Sequence, residues 1–539
     1  MNAPETNINQ QIAADYDNTP YKSHAFYYSS PGHIRAAAQL YNIEAPPLER
    51  ARVLELGCAA GGNLLPFALA YPHSTVVGVD LSQVQVGHGE RVLRDLNVPN
   101  MRLHAMSLTD ITPDFGEFDY IVVHGVFSWV PAEVKQAILR ICRENLAPQG
   151  IAYVSYNTYP GWKGGDIVRD AMLLHSHGAT TDGEKVARAK AMMGLLSEGL
   201  SPKNALASSL RPVVEWLSKQ SDYYVIHEYL AAVNTPCYFV EFADAAMQAG
   251  LAYVGDAEPH VEIPASYGRN VQLYHGVVAL GQPKLMRQQY LDFAVGRTFR
   301  KSLLVHAERQ NDIAVTPEMD QLSRLRFGGC FTRVDEKEAA GTDARVYSNS
   351  VGQRLQTSEP LVEALMAALT QAWPASMTGE QLASVIRDAA AVQAPTRNAE
   401  EVVAETMGTL FRTGTVRISA GPVPYDLRDT GHLEILPGIA YLTERNREKG
   451  FVVGIANFWH ENLGVNLTPA ERYLLDHFNG ERSGTKLRAL LSKALQDGIV
   501  PDDVGSLRTG QRNMEPLAQR IVNTLIDKLQ RLGLVSGRL

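Results

Sequence analysis

The sequence predicts an α/β protein. A parallel sheet covered by helices on both faces comes first, then a helical insertion, then α+β repeats in the last third. Three observations predict it. Short, nearly continuous apolar runs alternate with segments of helical period over residues 51–164. A strand-free helical stretch, 165–235, separates them from two more apolar runs within 236–308. Segments 358–419 and 468–539 answer one another as an internal repeat. At 539 residues the chain exceeds what one hydrophobic core organises.

Taken in order, residues 1–50 form a segment ahead of the sheet. Within it "YDNTPYKSHAFYYSSPGHI" carries Tyr16, Tyr21, Phe26 and Tyr28, which suit a lid over a ligand as well as plain packing. The strands are "RVLELG" (52–57), "TVVGVD" (75–80), "MRLHAM" (101–106), "FDYIVVHG" (118–125) and "GIAYVSYN" (150–157). Between the last two, "AEVKQAILRICRENLAPQG" puts Val134, Ile138, Ile141 and Leu146 on one stripe, with Pro148 and Gly150 just beyond its last turn. "DIVRDAMLLHSHG", "KVARAKAMMGLLSEG" and "LRPVVEWLSK" make the insertion, and "GLAYVGDAE" and "FRKSLLVHAE" complete the sheet. Regions 309–425 and 426–539 are two winged-helix-like units, each made of amphipathic helices ending in a short apolar strand. Their second helices are not strongly basic, so protein docking suits them better than DNA binding.

Composition narrows the function. Hydrophobic content of 45% and charged content of 20% describe a globular protein. No apolar run is long enough to span a membrane, and the N-terminus lacks the basic-then-apolar shape of a secretory signal. Cys58, Cys142, Cys237 and Cys330 lie far apart without a CxxC pair, which suits reduced thiols in a cytoplasm and no metal site. A net charge of −8 argues against a nucleic-acid partner.

The chemistry gathers at "VLELGCAAGGNLLPFA", where a strand ends in an acid and a small-residue turn. A phosphate, a dinucleotide or an amino-acid carboxylate would each suit such a turn at a helix N-terminus. A dinucleotide site wants GxGxxG, but Ala59 stands at the second glycine, and no P-loop lysine follows. Instead Glu55 precedes Gly57 by two residues, giving E-x-G-x-x-x-G with Gly61. Ligands of such sheets bind at the carboxyl ends of the strands, which collects the Gly57–Gly62 turn, Asp80, Ser107 to Asp110, and His124. Asp80 is placed to grip ribose hydroxyls, or alternatively to cap a helix. Ser107 stands near where an adenine would be read. His124 suits a base, or a hydrogen-bonded strand end. Phe127, Trp129, Tyr156, Asn157, Tyr159 and Trp162 follow strands four and five, where aromatic walls can hold a cationic acceptor by cation–π contact and exclude water. Trp129 and Trp162 equally suit packing.

These stretches resemble the class I S-adenosylmethionine-dependent methyltransferases. "YDNTPY", "SSPGHI", "FDYIVVHGVFSWVP" and "GIAYVSYNTYPGW" make the likeness more specific: over roughly residues 15–165 the chain is similar to the bacterial protein lysine methyltransferases, including rickettsial enzymes that modify an outer membrane protein. "HEYLAAVNTPCYFVEFADAAMQAGLAYVGDAE" is similar to the methyltransferase regulatory domain that accompanies this core. The resemblance implies a Rossmann-like core and methyl transfer from S-adenosylmethionine to protein lysine side chains, by a cytoplasmic enzyme acting before its substrate is exported. It implies cofactor contacts at Tyr16 and Tyr21, at Glu55, Gly57, Cys58, Ala59, Gly61 and Asn63, at Asp80 and Leu81, and at Ser107, Leu108, His124 and Gly125. Tyr21, Trp129, Tyr156, Asn157 and Trp162 would shape the acceptor site. A homodimer contact through the insertion is part of the expectation. A small-molecule methyltransferase and a non-catalytic cofactor sensor stay open as alternatives.

Overall fold

The computed structural model describes residues 17, 21–334, 344–393, 398–428, 431–501 and 514–537. Five strands run parallel: β1 (Arg52–Leu56), β2 (Thr75–Asp80), β3 (Met101–Ala105), β4 (Phe118–Val123) and β5 (Leu146–Tyr159). A two-residue β6 (Cys237–Tyr238) pairs with the end of β5. The last two strands are β7 (Leu251–Asp256) and β8 (Phe299–His306), and β8 lies antiparallel between β5 and β7. The sheet order is β3-β2-β1-β4-β5-β8-β7, a Rossmann-like sheet with an antiparallel strand inserted near one edge.

Strand alternation explains why the runs are apolar throughout. Val53, Val76, Tyr120, Val122 and Tyr153 face one helical layer, which supplies Ile34, Ala37, Tyr41 and Phe67. Leu54, Val79, Ile121, Val154 and Tyr156 face the other, with Ile138, Ile141, Phe239 and Phe242.

One boundary differs from the sequence reading. The helix Ala132–Glu144 stops at Asn145, whose side-chain amide donates to the carbonyls of Thr112 (3.0 Å) and Gly116 (2.8 Å). β5 starts at once, so Leu146, Pro148 and Gly150 belong to the strand, not to a helix end and loop. The irregularity they introduce shows as a register shift against β4 between Phe118 and Tyr120.

After β5, helices Trp162–Ser176, Asp182–Glu198 and Ala207–Leu217 pack around Val168, Met172, Ala189, Leu210 and Val214. A π-helical turn, Val225–Tyr229, returns the chain to the sheet. Beyond β8, helices Pro360–Ala372, Gly379–Gln393 and Ala399–Arg412 pack on strands Arg326–Gly328, Met377–Thr378 and Arg417–Ser419. The last region builds helices Pro469–Leu475, Gly484–Gln496 and Glu515–Arg531 beside paired strands Glu434–Ile435 and Val535–Ser536.

The segment before the first helix binds this last region to the sheet. Ser23 donates its backbone N–H to the Val452 carbonyl (2.8 Å) and accepts from Gly454 N–H (2.9 Å). Its hydroxyl accepts from Gly62 N–H at 2.7 Å.

Candidate active site

A cavity of about 320 Å³ opens at the carboxyl ends of the strands, within the ~300–1,000 Å³ usual for small-ligand sites. The loops after β1, β2 and β3 contribute Gly57, Ala59, Asp80, Leu81, Ser107 and Leu108. The loop after β4 and the end of β5 contribute His124, Gly125, Trp129 and Asn157, and Tyr21, His227 and Glu228 complete the wall.

The turn after β1 is not an anion cradle. Gly57 and Cys58 both donate their N–H groups to the Val79 carbonyl, at 2.8 and 3.1 Å, and Gly61 N–H bonds Cys58 O at 2.8 Å. Ala59 N–H goes to Asp80 Oδ2 at 2.8 Å, and Gly62 N–H to Ser23. With those donors spent inside the protein, a phosphate finds few left to bind it. The glycines answer to close approach by the chain itself. A Cβ on Gly57, at φ +75°, would lie 2.3 Å from Val126 Cγ2, and one on Gly62 would lie 2.2 Å from the Ser23 carbonyl oxygen. Gly61 shares the positive φ, and Cys58 is buried, its thiol pushed well up by that burial. Both support the turn from behind the cavity wall.

Two acids lie at this turn. Glu55, 3% exposed on β1, accepts from Asn63 Nδ2 at 2.7 Å through Oε1, while Oε2 has no hydrogen-bond partner among the described residues. Burial pushes its carboxyl up to about 8, and the neighbouring Asp80 adds to this against the Asn63 bond. Asn63 is itself held, its Oδ1 accepting from Phe26 N–H (3.0 Å) and the Ser29 hydroxyl (3.2 Å). Asp80 ends β2 and accepts from Ser82 N–H (2.9 Å) and Ala59 N–H. Burial raises its pKa, opposed by those backbone donors. The donor set fits S-adenosylmethionine on two observations: a buried carboxylate oxygen lacking a donor, and an acid at the cavity wall suited to diol hydroxyls.

Beyond the carboxyl end of β4, His124 packs at a tilt against Phe26 with ring centroids 4.0 Å apart, and its Nδ1 lies 2.9 Å from the Tyr153 hydroxyl. Burial, with Lys301 second, lowers its pKa to about 3, so the imidazole is neutral and too weak a base to take a proton from an amine. Trp129 closes the short turn Phe127–Trp129. Asn157 donates through Nδ2 to Asn234 Oδ1 (3.1 Å), which turns its own carbonyl oxygen into the amide's remaining acceptor. Tyr21 packs edge-on against His227, and burial together with Glu228 pushes its hydroxyl up to about 12.

Two expected acceptor residues lie elsewhere. Tyr156 is on the opposite face of β5 from Asn157, its ring stacked on Phe242 at 4.1 Å and its hydroxyl 3.0 Å from Ser302 Oγ. Trp162 packs against Tyr229 in the core of the inserted helices. Neither lines the cavity. Tyr16 lies outside the described residues. Asp110 sits in an exposed turn with Thr109. Gln85, His227, Glu228 and Phe299 line the cavity without having been singled out from the sequence. Glu228 lay in a quoted stretch, but a lone acid in a helical segment reads as surface.

A family model described as a methyltransferase domain matches residues 53–150, and one described as a predicted methyltransferase regulatory domain matches 221–306. The cavity draws on both segments. The chain is 29% identical over 523 residues to uncharacterized protein RP789 of Rickettsia prowazekii, spanning 94% of this chain and 89% of that protein. It is 39% identical over 234 residues to uncharacterized protein RP028 of the same organism, covering 43% of this chain and 94% of that one. Among solved structures, PKMT2 from Rickettsia typhi in complex with AdoHcy is similar at TM-score 0.78 and 25% identity, covering 96% of this chain and 100% of that one.

Proposed function

Because this chain belongs to one family with the rickettsial protein RP028 and carries a methyltransferase domain, we propose that it transfers methyl groups from S-adenosylmethionine to lysine side chains of a protein substrate. One observation carries the reading: the cavity sits on a chain similar over nearly its whole length to PKMT2, a protein lysine methyltransferase that holds AdoHcy, the cofactor's demethylated product. When bound, S-adenosylmethionine supplies a methyl group made electrophilic by its sulfonium. Glu55 pairs with the amino end of the cofactor, Asp80 takes the ribose hydroxyls, and Ser107 and Leu108 border the adenine. Trp129 and Tyr21 exclude water around the incoming amine and stabilise positive charge on it. Asn157 orients the amine through its carbonyl oxygen. Such positioning supplies much of the acceleration in an in-line displacement.

The same proposal gives the winged-helix-like C-terminal units the docking of the substrate protein, and the inserted helices a homodimer contact. Exposed Leu174, Leu195 and Trp216 on those helices support the latter. It places the enzyme in the cytoplasm, acting before substrate export; four free cysteines suit that compartment. Among the described residues no helix is long and apolar enough to cross a membrane.

The test incubates purified protein with methyl-labelled S-adenosylmethionine and a desalted lysate of its host. Label recovered as methyl-lysine after acid hydrolysis is the expected result. Cofactor binding with label only in small molecules would overturn the lysine reading.

A further inference from the structure

We propose that Glu228 is the catalytic carboxylate of the acceptor side: it holds the substrate ammonium as an ion pair and takes one proton from it. The segment matched as a regulatory domain then completes the active site. This rests on the lysine reading above.

Glu228 sits in the π-helical turn Val225–Tyr229, a distortion closed by Leu230 N–H bonding Val225 O at 3.0 Å. Such turns concentrate at functional sites, because one extra residue re-aims the side chains around it. Here both His227 and Glu228 reach the cavity wall, beside Tyr21, Trp129 and Asn157.

Among the described residues no lysine or arginine lines the cavity, and burial alone pushes Glu228 up to about 7. Among the described residues, a cation on the inserted helix packed against this turn is Arg169, whose guanidinium donates to the Ala231 carbonyl. Tyr21 comes from the N-terminal segment; Tyr224 and Tyr229 flank Glu228 on its own turn, and Glu228 raises the pKa of all three. Asp182 and Asp166, from the inserted helices, act on His227 and Tyr229 respectively. None of these tyrosines and acids supplies positive charge, and no cation shifts Glu228. A half-buried acid at a cavity wall, its carboxyl raised by desolvation, suits a cationic ligand that stabilises its charged form.

The chemistry needs such a group. A lysine arrives as ammonium, with no lone pair to offer. Glu228 accepts one proton, becoming the neutral acid, and leaves a neutral amine between Asn157 and the aromatic walls. The nitrogen lone pair then forms the N–C bond as the C–S bond breaks, with that electron pair retained on sulfur. The product is a methylammonium ion, and Glu228 returns its proton to solvent. The other titratable groups at the cavity serve less well: burial lowers His124 to about 3 and also lowers His227, and Glu55 and Asp80 lie at the cofactor turn.

The experiment compares wild type, Glu228→Gln and Glu228→Asp in three measurements: kcat/KM against pH, AdoHcy binding by calorimetry, and NMR titration of n-butylammonium into AdoHcy-loaded protein. The expected result is a loss of about 10²-fold for E228Q at pH 7, in the range of general-base contributions. That deficit closes roughly tenfold per pH unit above 8, as lysine loses its own proton. AdoHcy affinity stays within about twofold, n-butylammonium binding weakens, and E228D recovers part of both. An E228Q deficit equal at every pH, AdoHcy affinity falling in step with rate, or n-butylammonium bound equally by wild type and E228Q would each overturn the assignment. Wild type that labels no lysine yet binds n-butylammonium through Glu228 would sink the lysine reading while supporting the ammonium site.

Discussion

Glu55→Gln tests the cofactor half of the site through protons rather than rates. The free protein holds the Glu55 carboxyl at about 8 against an ordinary 4.5. At 1.36 kcal/mol per unit, ionising it in place costs about 5 kcal/mol more than in water. At pH 7 roughly nine in ten Glu55 groups therefore carry a proton. The amino end of AdoHcy arrives as an ammonium and favours the carboxylate, so binding expels that proton. Isothermal calorimetry at pH 7 in two buffers of different ionisation enthalpy should read close to one proton released per site. AdoHcy affinity should rise up to about tenfold per unit between pH 6 and 8, then level. Glu55→Gln should abolish both effects. The stability of the ligand-free fold runs the opposite way with pH. With the folded pKa raised, the contribution of Glu55 is full below the ordinary carboxyl value and is lost as pH rises through about 8. The Gln variant should accordingly lose less stability between pH 6 and 9. Wild-type binding that releases no proton, with affinity flat from pH 6 to 8, would refute the pairing of Glu55 with an ammonium.

Three further outcomes follow from the geometry. Asp80→Asn should weaken AdoHcy by about 1.5–3 kcal/mol, the worth of hydrogen bonds to a charged group, read by calorimetry with the melting temperature as control. Tyr156→Phe removes the bond to Ser302 and should cost about 1 kcal/mol in denaturant titration while leaving kcat within twofold; a large loss of kcat with unchanged stability would return Tyr156 to the acceptor site. Gly62→Ala drives a Cβ into the Ser23 carbonyl and should displace the N-terminal segment, seen as faster amide exchange at Phe26 and weaker AdoHcy binding.

The sheet was legible because β1, β2, β4 and β5 are largely buried on both faces and read as nearly unbroken apolar runs, while edge strand β3 alternates with exposed Arg102 and His104; a motif at their carboxyl ends then has only one place to be. Less was legible where the answer depends on strand parity or on distant chain. In "SYNTYPGW" any residue can face an acceptor. The bonds from Gly125 N–H to Ser155 Oγ, 2.9 Å, and between His124 and the Tyr153 hydroxyl show that odd-numbered positions face the cavity side, taking Asn157 there and Tyr156 into the core. The turn at Gly57 shows a deeper limit. Its small residues declared that something comes close, and a ligand phosphate was a natural occupant; the atoms that come close belong to Val126 and Ser23. What separates a phosphate site from this one is where the backbone N–H groups go, and these bond Val79, Asp80, Cys58 and Ser23. Those partners come from β2, the turn itself and a segment ahead of β1, so no local spacing could reveal them. Glu55 behaves differently. Its place before Gly57 is what singles it out in the sequence, and the structure adds that its Oε2 is buried without a hydrogen-bond partner among the described residues, which the proposed pairing with the cofactor's amino end would supply.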